Sequence, residues 1–156
     1  MNCTASAAVE APAPLIIEGH SPAGVPRTRD VARAFARGLE PALEAEMAEN
    51  VALLVSELAT NALRHGGGQY TMELGATAEA VHVIVSDPSS SLPGARPPPD
   101  LHRGSGGFGW HLIRHLTSDV TITPGPGDGK TIQARIPRCP TERGNTATAV
   151  RTTALR

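Results

Sequence analysis

Glu57, Asn61 and His65 recur at every fourth position in Glu57-Leu58-Ala59-Thr60-Asn61-Ala62-Leu63-Arg64-His65. In a helix this spacing puts all three on one face. A carboxylate and an amide oxygen one turn apart can share a magnesium ion with a nucleophilic water or hydroxyl. Magnesium takes hard oxygen ligands and uses nucleotide phosphates as further ligands. A second segment with chemical potential is Gly104-Ser105-Gly106-Gly107-Phe108-Gly109, with Arg103 just before it. Glycines let backbone N–H groups approach phosphate oxygens, and a helix N-terminus adds free donors. Arg103 could reach a phosphate from the same segment. No Gly-Lys-Ser/Thr follows, so the spacing is not that of a Walker loop. A third candidate is Asp87, at the end of an apolar strand. A carboxylate buried there can accept from the amino group of a base. Lys130-Thr131 would lie near it if the two strands are neighbours, and Thr131 could support the base directly or through water.

Weaker candidates are also present. His111 and His115 have metal-compatible spacing, but no third ligand stands out. Ser89-Ser90-Ser91 lacks the Gly-x-Ser-x-Gly of a nucleophile elbow.

These residues need elements to position them. Val51, Leu54, Val55, Leu58, Ala59 and Ala62 form the strongest helical stripe, in a helix expected to open at Pro41 and run to His65. Gly66-Gly67-Gly68 stops it. A preceding helix is expected from about Pro26 to Leu39, with Arg27, Arg29, Arg33 and Arg37 on its wet face. Leu15-Ile16-Ile17 reads as an edge strand. Tyr70, Met72 and Leu74, then Val81, Val83 and Val85, alternate as a hairpin would. A Pro/Gly-rich loop covers 88–107 and leads into a short helix carrying Phe108, Leu112, Ile113 and Leu116. Two more strands hold Val120 and Ile122, then Ile132, Ala134 and Ile136. This order points to an α+β, two-layer sandwich with a mixed, mostly antiparallel sheet and helices on one face. The folded part is expected over 13–137, between flexible ends at 1–12 and 138–156.

Composition narrows the functions. The chain has 156 residues and a net charge of −1, so bulk electrostatics give no reason to expect nucleic-acid or membrane partners. Phe35, Tyr70, Phe108 and Trp110 are all its aromatic residues, too few for a base-stacking platform. Cys3 and Cys139 read as two separate thiols in a reducing cytoplasm. No apolar run is long enough to span a membrane.

The order of the motifs resembles a known ATP site. Glu57 to Gly66 resembles the N-box of the gyrase, chaperone, histidine-kinase and mismatch-repair ATPase superfamily, whose architecture is the Bergerat ATP-binding fold. Val85-Ser86-Asp87 resembles its first glycine-box strand, and Gly106-Gly107-Phe108-Gly109-Trp110-His111-Leu112-Ile113 its second glycine box. Gly129-Lys130-Thr131 resembles the final strand. The small size is most similar to the anti-sigma-factor serine/threonine kinase branch. The resemblance implies ATP and magnesium as cofactors. It implies that Asn61 holds Mg2+, Glu57 orients or deprotonates the attacking hydroxyl, and Asp87 binds adenine. Gly106, Gly107 and Gly109 would cradle phosphates. It also implies a cytoplasmic homodimer whose substrate is a STAS-type anti-sigma-factor antagonist and whose other partner is a sigma factor. Asp87-Pro88-Ser89 stands where the family reads Asp-x-Gly. That departure favours an alternative, a non-catalytic module presenting an ATP-ordered surface to a partner.

Overall fold

A computed structural model describes residues 11–92, 108–139 and 150–153. In chain order the elements are β1 (Leu15–Gly19), α1 (Val25–Arg37), α2 (Ala45–His65), β2 (Tyr70–Ala76), β3 (Ala80–Asp87), α3 (Phe108–Leu116), β4 (Asp119–Pro124), β5 (Lys130–Pro137) and β6 (Val150–Thr152). A single 3-10 turn, Pro22–Gly24, precedes α1.

Pro26 sits in the first turn of α1, where its missing N–H has no helical partner to lose. Gly38 closes the helix by donating to the carbonyls of Ala34 and Phe35. The second helix begins later than the sequence suggests. Pro41 does not open it: the Glu40–Pro41 bond is cis, and α2 starts at Ala45. Proline suits a tight turn as well as a first helical turn. Leu39 and Leu43, on either side of Pro41, are buried and hold this connection against the core. From Val51 to Ala62 the whole apolar stripe of α2 is buried. Gly66 caps the helix, and Gly67 and Gly68 turn the chain with φ of 94° and 83°.

The strands form one sheet in the order β1-β2-β3-β5-β4-β6. All pairings are antiparallel except β4 with β6, so the sheet is mixed, as expected. Strand alternation then sorts side chains between two faces. Met72, Leu74, Val81, Val83, Val85, Ile132, Ala134 and Ile136 join the stripe of α2 in one core. Thr71, Glu73, His82, Ile84, Ser86, Thr131 and Gln133 occupy the other face. The architecture is thus the α+β two-layer sandwich.

The C-terminal segment differs from its expected flexible character at one place. Val150–Thr152 runs parallel to β4, with Val120, Thr121 and Ile122 opposite, and Thr153 N–H donates to the Ile122 carbonyl. Three residues with one apolar side chain carry no period; main-chain pairing and the packing of Val150 on the core place this strand. Cys139 is disulfide-bonded, in contrast to the expected separate thiols; Cys3 lies outside the described residues. Among the described residues, no helix is long and apolar enough to cross a membrane.

Candidate nucleotide-binding site

Asp87 is the last residue of β3 and shares the core-facing side of that strand with Val83 and Val85. Its side chain is only 2 % exposed. Lys130 opposes it directly across β5 and is almost as buried. Lys130 Nζ donates to Asp87 Oδ1 at 2.8 Å and to the Ser89 carbonyl at 3.1 Å. Ser89 N–H donates to the same Oδ1 at 3.0 Å. Oδ1 therefore takes both bonds, while Oδ2 faces the end of α2. A Cβ placed on Gly66 would stand 2.5 Å from Oδ2 and 2.6 Å from Asp87 Cγ. Only glycine lets the helix end close on this carboxylate. A cleft of about 400 Å³ runs along the pair and is also lined by Gln69, Tyr70, Ser86 and Pro126.

Thr131 is not part of this arrangement. Neighbouring residues of a strand point to opposite faces. Thr131 Oγ1 bonds Ser86 Oγ at 3.0 Å on the face away from the core. The strands are neighbours, as expected, but the side chain brought to Asp87 is Lys130. The sequence places the pair Lys130-Thr131 near Asp87, and the register of β5 against β3 decides that Lys130 is the one opposite it.

Asn61 and Glu57 occupy the flank of α2 that meets α3. A Cβ on Gly109, the second residue of α3, would collide with Glu57 Oε2 and lie 3.9 Å from Asn61 Oδ1. The first turn of α3 therefore abuts the carboxylate and the amide together. Ile113, fully buried, with Trp110 and Leu116 packed on the core, anchors α3 in that position. A cleft of about 450 Å³ lies here, lined by Glu57, Gly109, His111, Leu112 and His115. Among the described residues no group of three or more His, Cys, Asp or Glu is arranged to hold a metal. His65 ends α2, just before the capping glycine. Arg103, Gly104, Gly106 and Gly107 lie outside the described residues, as does the side chain of Phe108, whose backbone opens α3.

One helix thus connects two clefts. Gly66 touches the Asp87 end and Glu57 the α3 end, nine residue steps apart, about 13 Å along the axis of α2. A buried carboxylate at one end can read a base. The amide, carboxylate and helix N-terminus at the other can meet phosphates.

A family comparison decides what this arrangement belongs to. Residues 20–136 match the family model of the histidine kinase-like ATPase domain. The chain belongs to that family. No match was found among curated proteins. The matched span of this histidine kinase-like ATPase domain runs from just before α1 nearly to the end of β5, so it contains every site residue named above. Its superfamily is one of ATP-binding domains, and two features of the fold fit that ligand. The glycine at 66 lets the helix end pack against the buried Asp87 carboxylate, and the glycine at 109 lets the first turn of α3 pack against Glu57 and Asn61.

Proposed function

We propose that this ATP-binding domain is an anti-sigma-factor-type serine/threonine protein kinase. Its substrate would be a serine or threonine of a STAS-type anti-sigma-factor antagonist, and it would regulate transcription by partner switching. The observation that carries this reading is the convergence of Glu57, Asn61 and the first turn of α3. Phosphoryl transfer requires positioning and charge neutralisation more than covalent chemistry by the protein. Glu57 would accept or orient the proton of the attacking hydroxyl. As the hydroxyl oxygen bonds to the γ-phosphorus, the bond from that phosphorus to the β–γ bridging oxygen breaks and ADP leaves. The N–H groups of the first turn of α3, which lack helical partners, would offer donors to the phosphate charge. Magnesium would be held by Asn61 Oδ1 together with the phosphates, and its contribution is neutralisation of phosphate charge. The reading also carries the family's working context, a homodimer in the cytoplasm that a sigma factor leaves when the unphosphorylated antagonist binds.

A second reading, an ATP-binding regulatory module without turnover, is favoured by the Asp87 end. Lys130 and Ser89 N–H both bond Asp87 Oδ1, and Pro88-Ser89 replaces the x-Gly of the family pattern. Calorimetry and labelled-phosphate transfer separate the two. Wild type should bind ATP in a magnesium-dependent manner, and Asn61→Ala should lose that dependence. Glu57→Gln should keep ATP affinity and lose transfer to a serine of a STAS-type protein. ATP binding without transfer by wild type to any antagonist encoded beside it would leave the regulatory reading standing. Undiminished transfer by Glu57→Gln would remove Glu57 from the proton-accepting role.

A further inference from the structure

Lys130 is the only lysine of the chain, and it is buried. Its Nζ donates to Asp87 Oδ1 and to the Ser89 carbonyl, and the two side chains of the ion pair are 6 % and 2 % exposed. Ser89 N–H takes a further place on Oδ1. Oδ2 lies packed against the helix end at Gly66. The carboxylate thus borders a cleft of about 400 Å³ with one oxygen doubly bonded to donors and the other covered. A ligand in that cleft gains Oδ1 only by replacing a donor. Of the two donors there, Ser89 N–H is main chain, in the segment that follows β3. Lys130 sits at the end of a flexible stem and can leave by side-chain rotation alone. An arginine would grip the carboxylate with a rigid planar fork; a lysine holds it as a movable point charge.

We infer that Lys130 is a resident competitor for the base, an autoinhibitory contact that keeps a nucleotide from Asp87 until the ammonium is displaced. The inference rests on the ATP-binding reading given above, with Asp87 at the base. Binding is then an exchange of donors at one acceptor. The ammonium leaves Asp87 Oδ1, the amino group of adenine takes its place, and the buried carboxylate is paired before and after. The cost falls on the ammonium, which gives up both of its partners. The form with Oδ1 vacated is therefore a minor one in the free protein, and apparent affinity is reduced by its population. Inorganic triphosphate has no base and needs no exchange.

The test is calorimetric titration of the full chain in magnesium buffer, with Lys130→Met, which keeps an unbranched stem and removes the donor. The variant should bind ATP at least about tenfold tighter than wild type, which corresponds to a vacated fraction of about one tenth or less in wild type, and inorganic triphosphate no tighter. The free variant should melt lower, because a buried carboxylate is left without its partner, and saturating ATP should raise its Tm more than that of wild type. Wild type gives a second readout. Lys130 carries the only side-chain amine, so amine-reactive labelling followed by peptide mass reads it alone. Labelling should be slow in the free protein, at least about tenfold faster with ATP bound, and still slow with inorganic triphosphate. That arm decides the matter if Lys130→Met does not fold. ATP affinity at or below the wild-type value in folded Lys130→Met overturns the inference and leaves ATP binding intact. So does wild-type labelling that ATP leaves unchanged or slows. A gain shared by inorganic triphosphate overturns it too, since the effect would then be one of charge and not of the base. Absence of ATP binding to both wild type and Lys130→Met overturns the inference together with the function it rests on.

Discussion

Gly66→Ala should destabilise the protein although its backbone permits alanine. The residue has φ −102°, which any side chain tolerates, so the cost is steric. The new Cβ would stand 2.5 Å from Asp87 Oδ2, 2.6 Å from Asp87 Cγ and 2.7 Å from the Ala62 carbonyl. Ordinary contacts of this kind are close to an ångström longer. None of these three atoms can yield cheaply. Asp87 is pinned by Lys130 and by Ser89 N–H, and the Ala62 carbonyl accepts the capping N–H of Gly66. The helix end or the carboxylate must shift, at the cost of an overpacked core, about 1–3 kcal/mol. For a chain of this size that is a fall in Tm of roughly 2–10 °C. Thermal unfolding followed by circular dichroism measures it. Gly24→Ala is the control, because a Cβ there meets nothing within 4 Å. If Gly66→Ala melts with the control, the carboxylate is not held as described, and the account of the Asp87 end is wrong.

Gly109→Ala presents a similar collision with the opposite outcome for stability. The atom it strikes is the far end of Glu57, a flexible and partly exposed side chain that can swing aside. Alanine also favours a helix over glycine by about 1 kcal/mol, so Tm should hold or rise. Transfer should nevertheless fall about a hundredfold, because Glu57 is displaced by roughly 1 Å; unchanged transfer would show that the carboxylate's position is immaterial. Thr131→Val should leave ATP affinity within about twofold, since neither hydroxyl of its bond with Ser86 faces Asp87. A large loss on titration would return Thr131 to the base contact. His82 has its pKa lowered, first by desolvation and then by the charge of Arg135. A depressed histidine contributes stability above its unfolded pKa and loses it as pH falls through the folded value. Wild type should therefore lose Tm as pH drops from about 7 to 5, and His82→Gln should lose less; parallel pH curves would contradict the assignment.

The parts legible in the sequence are those where burial is periodic. The stripe from Val51 to Ala62 and the alternation of Tyr70, Met72 and Leu74 exist because each element buries one face, so hydropathy records their geometry. The placement of Glu57 and Asn61 on one flank of α2 is legible for the same reason, since helical phase ties them to the stripe. Three features left no such record. The start of α2 depends on how Leu39 and Leu43 seat the turn around Pro41. The pairing of β6 with β4 is main-chain bonding between residues about thirty apart, and the one apolar side chain that joins the core there, Val150, gives no period to read. The partner of Asp87 depended on register: a shift of one residue along β5 exchanges Lys130 for Thr131 and one face of the sheet for the other. That Lys130 rather than Thr131 meets Asp87 follows only once β5 is paired.

The span of α2 between its two clefts acts as a ruler. The Gly66 end beside Asp87 and the Glu57 end beside α3 are fixed points on one rigid rod, about 13 Å apart. On the reading proposed above, a nucleoside triphosphate would touch both marks, with its base at one and its phosphates at the other, and losing the terminal phosphate would shorten it from one end only. Contact with Asp87 would survive, while the space beside Glu57 and Gly109 would empty. The state of the nucleotide would then be read at the α3 end alone, with the base end as its zero mark. One residue inserted between positions 57 and 66 would turn Glu57 by about 100° away from α3. The scale is therefore set by residue count as much as by residue type.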